Sequence, residues 1–219
     1  MVFGAALAFT ALARSVSSAA PQTLDRVVAA VGRTAITASD VRREYALEYF
    51  LEHGAAPEAE PDGATRERVR DQLIHQQLLE REAESDGASP WDDARDQPAE
   101  LAAVRKRFPN AQDFATALRS LGMDERQFTA LLVARERSLE IIDEHLRPLV
   151  SVEKEAIEQY YRQTFLPEFA KRGAGNPPSL AEVEPQIREI LVQQKVNEML
   201  PAWLEGLRAS HRVEVYGPA

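Results

Sequence analysis

The chain has 219 residues, of which 44% are apolar and 7% aromatic, and its formal charge at neutral pH is −9. This length and composition suit one or two domains with a packed core, and the acidic balance makes nucleic acid an unfavourable partner. The sequence has no cysteine, which excludes disulfides, thiolate nucleophiles and a CxxC redox site.

The N-terminal segment is uncharged and apolar. Residues 2–13 read VFGAALAFTALA, and Arg14 and mostly small residues follow as far as Ala20. This pattern is typical of a secretory signal, here residues 1–20, with cleavage after Ala19 or Ala20. The run is shorter than the ~20 residues of a spanning helix, so we expect export without a stable membrane anchor. No Lys or Arg precedes the run, which leaves a start further upstream as the alternative.

A hairpin and a helix follow. Residues 26–37 contain a β-branched run, a turn at Gly32 and the segment TAIT, which predict two short strands. Thr37 and Asp40 have the spacing of a capping box and predict a helix over about 38–53. This helix is apolar on more than one side. It is therefore either buried among neighbouring helices or presents apolar surface to a partner.

Helices dominate the middle of the chain. A linker over 54–63 precedes a predicted helix over 64–85, and a polar break follows in which Ser89 is a candidate N-cap. Short helices are predicted near 98–107 and 111–121, and Asp124 with Gln127 predicts a capped helix over 125–147. The apolar stripe of that last helix predicts a core face formed by Phe128, Leu131, Leu132, Leu139, Ile142 and Leu146.

The C-terminal third ends in an alternating segment. A helix up to about Phe169 is followed by a Gly- and Pro-rich loop, and Ser179 with Glu182 predicts the start of the last helix. The apolar face of that helix changes side along its length, so its two halves should dock on different elements. Residues 211–216 alternate like a strand without a local partner, and an isolated strand is marginal in water. We therefore expect this strand to pair with the hairpin at 26–37, which gives a mostly α fold with a small antiparallel β element formed by the two chain ends.

Sequence signatures of catalysis or cofactor binding are missing. The four histidines, His53, His75, His145 and His211, show no metal-ligand spacing, and neither a phosphate-binding glycine motif nor a GxSxG elbow occurs. Asp92 and Asp93 form an acidic pair, but they lie in a polar break without an apolar pocket around them. The sequence predicts no metal, no cofactor and no ATP-driven cycle.

Five segments together resemble a known family. They are LDRVVAAVGRTAITASDVRREY, RVRDQLIHQQLLEREA, FATALRSLGMDERQFTALL, VSVEKEAIEQYYRQTF, and the last long helix with HRVEVYG. In this order they resemble SurA-type periplasmic chaperones and their parvulin-linked relatives. The resemblance implies an N-terminal helical region over 21–169, and a C-terminal helix and strand over 179–219 that completes the same core. It also implies that the loop over 170–178 stands where relatives carry a parvulin prolyl-isomerase domain, so we expect no enzyme.

The resemblance implies a periplasmic, ATP-independent chaperone that holds unfolded or nascent envelope and outer-membrane proteins in an apolar cleft. The candidate client-binding side chains are Tyr45, Phe50 and Leu51 on the first long helix and Trp203 and Leu207 on the last. Each of them is also compatible with a plain core position. The alternative function is a non-catalytic interaction subunit that binds one folded partner or forms a homodimer.

Overall fold

The computed structural model describes residues 25–85, 99–173 and 175–217. The predicted signal segment, the candidate cap at Ser89 and the pair Asp92 and Asp93 lie outside this range. The elements are β1 Val27–Val31, β2 Thr34–Thr37, α1 Ala38–His53, α2 Gly63–Ser85, α3 Ala99–Arg105, α4 Ala111–Ser120, α5 Glu125–Leu146, α6 Lys154–Tyr160, α7 Leu166–Lys171, α8 Leu180–Ser210 and β3 Val213–Val215. A 3-10 turn, Arg147–Leu149, follows α5, and a π turn, Tyr161–Phe165, joins α6 to α7.

The two ends of the chain meet in one antiparallel sheet with the strand order β2-β1-β3. β1 pairs with β2, which follows it in the hairpin, and with β3, which is far from it in sequence. In the pairing of β1 with β3, Val31 lies opposite Val213. The ladder continues at both ends, because Gly32 N–H donates to the Arg212 carbonyl at 2.7 Å and Tyr216 N–H donates to the Val28 carbonyl at 2.9 Å. The predicted pairing of the C-terminal strand with the hairpin is confirmed, as is the mostly α fold.

Gly32 is required at the hairpin turn for two reasons. Its φ of +58° lies in the left-handed region, which is costly for a residue with a Cβ. A Cβ at this position would also stand 3.1 Å from the guanidinium of Arg81, whose Nη2 donates to the Val31 carbonyl at 2.9 Å. The turn therefore lies against α2 with little space for a Cβ, so a larger residue at position 32 would have to displace the Arg81 side chain.

We expect Gly32→Ala to lower the free energy of unfolding by about 2 kcal/mol, because backbone strain and displacement of Arg81 add together. Gly122→Ala is the matched control: Gly122 has a φ of +71° but nothing within 4 Å of the added Cβ, so strain alone should cost about 1 kcal/mol. Urea unfolding of both variants gives the comparison. Equal losses would show that the Arg81 contact contributes nothing.

Side-chain caps fix where the long helices begin. All three capping boxes expected from the sequence are formed: Thr37 with Asp40, Asp124 with Gln127, and Ser179 with Glu182. Each pairs backbone N–H groups that the first helical turn leaves without partners. The starts of α1, α5 and α8 are therefore determined by local sequence.

Two clusters of buried side chains form the interior. The first core lies between the sheet and α1, α2, α5 and α8, and comprises Val28, Ala29, Val31, Ile36, Val41, Val69, Ile74, Leu78, Leu79, Ala83, Ile141 and Leu207. The second core lies between α1, α3, α4 and α5, and comprises Leu47, Phe50, Leu101, Val104, Phe114, Leu118, Met123, Phe128 and Leu132. Helices α1 and α5 contribute to both cores, so they connect the two halves of the helical body.

The course of α5 corrects one expectation. Leu139 was expected in the core but is 67% exposed. Ile141, in the first core, comes nine positions after Leu132, in the second core, which is a rotation of about 180° at 3.6 residues per turn. Leu139 lies seven positions after Leu132 and therefore on the same face of α5 as Leu132. At the position of Leu139 along the helix, however, α5 packs against the first core with its opposite face. Further along α5, Ile142 packs against the first core and Leu146 is buried, so Leu139 is the one residue of the predicted stripe that is exposed.

Helix α8 docks its two halves on different elements, as expected. In its first half, Arg188 Nη1 donates to the Val152 carbonyl at 3.1 Å, and Glu189 pairs with Arg147 after α5. In its second half, Trp203 and Leu207 belong to or pack against the first core. The connection between α7 and α8 is held to the preceding helix, because the Tyr161 hydroxyl donates to the Pro178 carbonyl at 2.7 Å.

Candidate functional site

An open cleft of about 470 Å³ lies alongside α1. One wall is α1, the second is the linker between α1 and α2, and the third is the turn that follows α4. We call it the linker cleft; its lining residues are Ser39, Arg42, Arg43, Tyr45, Ala46, Ala56, Pro57, Glu58, Ala59, Glu60, Pro61, Ser120 and Leu121. The apolar part of this lining is made of alanines, prolines, one leucine and one tyrosine.

The linker wall is fixed at both of its ends. Gly54 ends α1 in the left-handed conformation and donates its N–H to the Phe50 carbonyl at 2.8 Å. At the other end, Asp62 accepts the Thr65 N–H at 2.7 Å, and Arg66 donates to the Pro61 carbonyl at 3.1 Å. A segment anchored in this way keeps the cleft open without a helix or strand of its own.

Charges of opposite sign face each other across the linker cleft. Arg42 and Arg43 lie on the α1 wall, and Glu58 and Glu60 lie on the linker wall. Both arginines are held by the first turn of α1: Arg42 donates to the Ser39 hydroxyl at 2.8 Å, and Arg43 pairs with Asp40 at 3.1 Å. The rim is therefore close to neutral in sum, and it favours neither a strongly acidic nor a strongly basic ligand.

The five side chains expected to bind clients do not form one surface. Tyr45 lines the linker cleft and packs against the first core. Leu51 is half-buried against the second core. Trp203 is half-buried, with its indole stacked on the His145 ring at a centroid distance of 5.1 Å. Of these three, Tyr45 alone lies in the cleft.

Phe50 and Leu207 require a correction. Phe50 has no solvent exposure and Leu207 is 6% exposed, so neither side chain can be reached by a client in this conformation. The reason is the same for both: each lies on the side of its helix that faces a core, Phe50 in the second and Leu207 in the first. We remove both from the candidate surface.

The cleft residues that sequence reasoning missed come from separate parts of the chain. Ala46, Ala59 and Leu121 face the same space although α2, α3 and α4 lie between Ala59 and Leu121 in sequence. The available signal was the high content of Ala and Pro in residues 55–61, because such a segment offers apolar surface with few backbone donors. From the sequence alone, the segment is predicted only as a linker.

A second apolar surface runs along the helices before the Gly- and Pro-rich loop. Tyr161, Phe165 and Phe169 stack in series, with centroid distances of 5.5 and 6.0 Å, and all three are half-buried. We call this set the aromatic row. The π turn that contains Tyr161 and Phe165 sets this spacing, and π turns recur at functional sites.

A buried carboxyl links the helices beneath the α1 wall. Glu44 is 4% exposed; it accepts from Arg135 of α5 at 3.0 Å and from Gln72 of α2 at 3.3 Å. Burial raises the pKa of the Glu44 carboxyl above its ordinary value, and the positive charge of Arg135 opposes this shift. Glu44 thus joins α1, α2 and α5 at a point where loss of its partners would leave a buried charge.

Glu44 should make stability depend on pH with a defined sign. Because the folded protein holds this proton to higher pH than the unfolded chain, the contribution of Glu44 to the free energy of unfolding is largest below pH 4.5 and falls as the pH rises through the folded pKa. Glu44→Gln removes this dependence. Relative to the unaltered protein, the variant should therefore gain stability from acid toward neutral pH. Urea unfolding between pH 4 and 7 measures it, and Glu52→Gln on the same helix controls for the loss of one negative charge. A difference that shrinks as the pH rises would contradict the assignment.

Two further observations limit the chemistry of the described residues. No group of three or more His, Cys, Asp or Glu side chains in residues 25–85, 99–173 and 175–217 is placed to hold a metal ion. Within the same ranges, none of the helices has the length and hydropathy needed to cross a membrane.

One comparison with known proteins identifies a family. A family model described as the SurA-like N-terminal domain matches residues 1–136, which is more than half of the chain. The match includes β1, β2, α1 to α4 and the first part of α5, and therefore all the walls of the linker cleft. No curated protein matches the chain.

Proposed function

This chain belongs to the family of SurA-like N-terminal domains, and we propose that it acts as an ATP-independent holdase for unfolded envelope and outer-membrane proteins in the periplasm. Family membership supports a chaperone-related role. The observation that carries the finer proposal is the linker cleft, an open space in which alanine, proline, leucine and tyrosine side chains lie beside charged groups that nearly cancel one another. We propose that client segments bind there, against Tyr45 and the Ala- and Pro-rich wall.

The shape of the linker cleft suits weak and reversible binding. Release without nucleotide requires modest affinity, and each side chain that enters an open cleft gains only part of the ~1.5 to 3 kcal/mol of full burial. A volume of about 470 Å³ accommodates a few side chains at a time. Association also carries its own entropic cost, so many transient contacts are expected rather than one tight complex.

Aggregation of an outer-membrane protein tests the proposal. When the denatured client is diluted from urea, the purified protein should suppress light scattering at a near-stoichiometric ratio without nucleotide. Absence of protection at a several-fold excess would contradict the holdase.

A matched pair of linker variants tests the location. Ala59 and Ala55 are both exposed linker residues, but Ala59 lines the cleft and Ala55 does not. Ala59→Glu places a charge against bound apolar side chains, which is unfavourable, and should raise the amount of protein needed for half-protection several-fold. Ala55→Glu adds the same charge to the same linker and should leave protection unchanged. Equal protection by both variants would show that clients do not bind in the linker cleft.

The aromatic row favours a second candidate, a non-catalytic interaction subunit that binds one folded partner or self-associates. Tyr161, Phe165 and Phe169 offer a continuous stacked surface outside both cores. Sedimentation and co-purification distinguish the two candidates, because a tight dimer or one stoichiometric partner supports the second and a mixture of unfolded clients supports the first. Under both proposals the chain is not an enzyme, and a prolyl-isomer exchange assay should give the uncatalysed rate.

A further inference from the structure

Strands β2 and β3 are the edges of the sheet in the described part of the chain, and the hydrogen-bond register identifies which residue of β2 faces outward. Gly32 bonds to Arg212 and Tyr216 bonds to Val28 across the β1–β3 ladder, so Ala30, opposite Glu214, belongs to the set of β1 residues whose backbone groups point toward β3. Ala30 therefore makes no ladder bond to its other neighbour, Ala35 of β2.

Ala35 must consequently direct both its N–H and its C=O away from β1. Its side chain is exposed, and within the described residues these two backbone groups have no hydrogen-bond partner. An unpaired donor and acceptor on an edge strand form a template for another strand.

A cavity of about 230 Å³ borders the same strand. We call it the edge groove; its apolar residues are Ala35 and Ile36 of β2, Leu73 of α2 and Leu131 of α5, and its uncharged polar residues are Thr34, Gln76 and Gln77. Its charged residues are already paired, since Asp40 bonds to Arg43 at 3.1 Å and Glu44 bonds to Arg135 at 3.0 Å. The groove therefore favours an uncharged occupant.

The dimensions select the kind of occupant. An apolar cavity of ~150 Å³ is enough for a benzene-sized ring, so the edge groove has space for about one aromatic or branched side chain. One outward-facing residue supplies two backbone hydrogen bonds, far less contact than the ~800 Å² per partner of a standard interface between folded proteins. A single extended chain satisfies both limits, whereas a folded partner or a second copy would need further contacts beyond this edge.

We propose that an extended segment of an unfolded polypeptide adds to the outer edge of β2, exchanging hydrogen bonds with the backbone of Ala35 and placing one apolar side chain in the edge groove. This proposal rests on the proposed holdase function and assigns it a second contact of a different kind. Main-chain pairing is common to all polypeptides, and specificity in strand addition comes from alternate side chains entering pockets. The site thus recognises extension and one uncharged side chain rather than a sequence.

Peptides with blocked amides test the proposal on the unaltered protein. The parent probe is a fluorescein-labelled, acetylated nine-residue peptide of alternating Thr and Val with a central Phe, followed by fluorescence anisotropy. Two further peptides have the same side chains but are N-methylated at either their even or their odd positions, so that in each case the N–H groups on one side of the strand are lost. We expect at least one of them to bind about 5- to 10-fold more weakly than the parent.

Two substitutions at Ala35 test the protein side. Ala35→Pro removes the outward N–H, and proline is tolerated at an edge-strand position whose N–H does not serve the ladder. It should weaken binding of the parent peptide by a similar factor, whereas Ala35→Ser keeps the N–H and should leave binding unchanged. Hydrogen exchange of the Ala35 amide should slow when the parent peptide binds. The N-methylated peptides decide the matter if Ala35→Pro fails to fold.

The proposal is overturned if both N-methylated peptides bind as tightly as the parent, or if the parent shows no binding at millimolar concentration. Its failure is distinguishable from failure of the holdase. If the peptides fail to bind at β2 but the unaltered protein suppresses aggregation and Ala59→Glu does not, the holdase function stands and only the β2 contact is refuted. Absence of suppression by the unaltered protein would remove the holdase itself.

Discussion

Ending the chain at Ser210 should lower the free energy of unfolding by about 3 to 5 kcal/mol. The truncation removes β3 and with it the ladder to β1, which includes the bonds from Gly32 to Arg212 and from Tyr216 to Val28. Each such bond contributes about 1 kcal/mol, and loss of Val213, which packs against the first core, adds about 1 kcal/mol. Since small domains have 5–15 kcal/mol in total, the truncated chain should be marginal or unfolded.

The measurement is urea unfolding, together with hydrogen exchange at Ala30, whose amide should lose protection. A chain ending at Gly217 keeps all of β3 and should match the full chain. Arg212→Ala with Glu214→Ala removes an exposed ion pair while keeping the backbone, and should cost well under 1 kcal/mol. A truncation at Ser210 that unfolds like the full chain would mean that the two chain ends do not form one folding unit.

The ends of the chain could be predicted because their signals are local and their physical requirement is simple. Alternation identified residues 211–216 as a strand, and a strand must find a partner; the hairpin was the only other predicted β segment. The helix starts were equally local, since a capping box involves residues three positions apart. The starts of α1 and α5 follow from such pairs, Thr37 with Asp40 and Asp124 with Gln127.

The sequence alone could not predict which core covers each apolar face of α1 and α5, the two helices that contribute to both cores. Phe50 lies nine positions after Val41, a rotation of about 180° on α1, and the two residues belong to different cores. An apolar residue on the second side of a helix has the same pattern whether a second core or a client covers it. Periodicity identifies the stripe, and the arrangement of α3 and α4 decides its role.

The site was missed for a different reason. The linker cleft and the edge groove are formed by residues that are adjacent only after folding, such as Tyr45 with Leu121 and Ile36 with Leu131. No spacing in the sequence brings them together. The backbone N–H and C=O of Ala35 point outward because of the hydrogen-bond registers of β1 with β2 and of β1 with β3. The sequence of β2 alone does not specify these registers.

Substitution of Phe50 distinguishes a core residue from a client-binding residue on α1. Phe50 packs its ring against Phe108, with centroids 5.9 Å apart, and meets Phe128 edge-on at 5.7 Å. Phe50→Ala should lower the free energy of unfolding by about 3 to 5 kcal/mol, the range found for buried phenylalanine. Leu51→Ala is the matched control on the next residue; Leu51 is half-buried, so its loss should cost about 1 kcal/mol.

Measuring stability and protection on the same variant separates the two roles of Phe50. Urea unfolding gives the stability, and the aggregation assay is run at a temperature where circular dichroism shows the Phe50→Ala protein to be folded. If Phe50 is purely a core residue, each folded molecule should protect the client as well as the unaltered protein does, whereas Ala59→Glu should be stable but weakly protective. The opposite result is a Phe50→Ala protein whose free energy of unfolding is within about 1 kcal/mol of that of the unaltered chain but which no longer protects the client. This result would show that Phe50 reaches clients, because a cavity left in the second core would lower the free energy of unfolding by more than that.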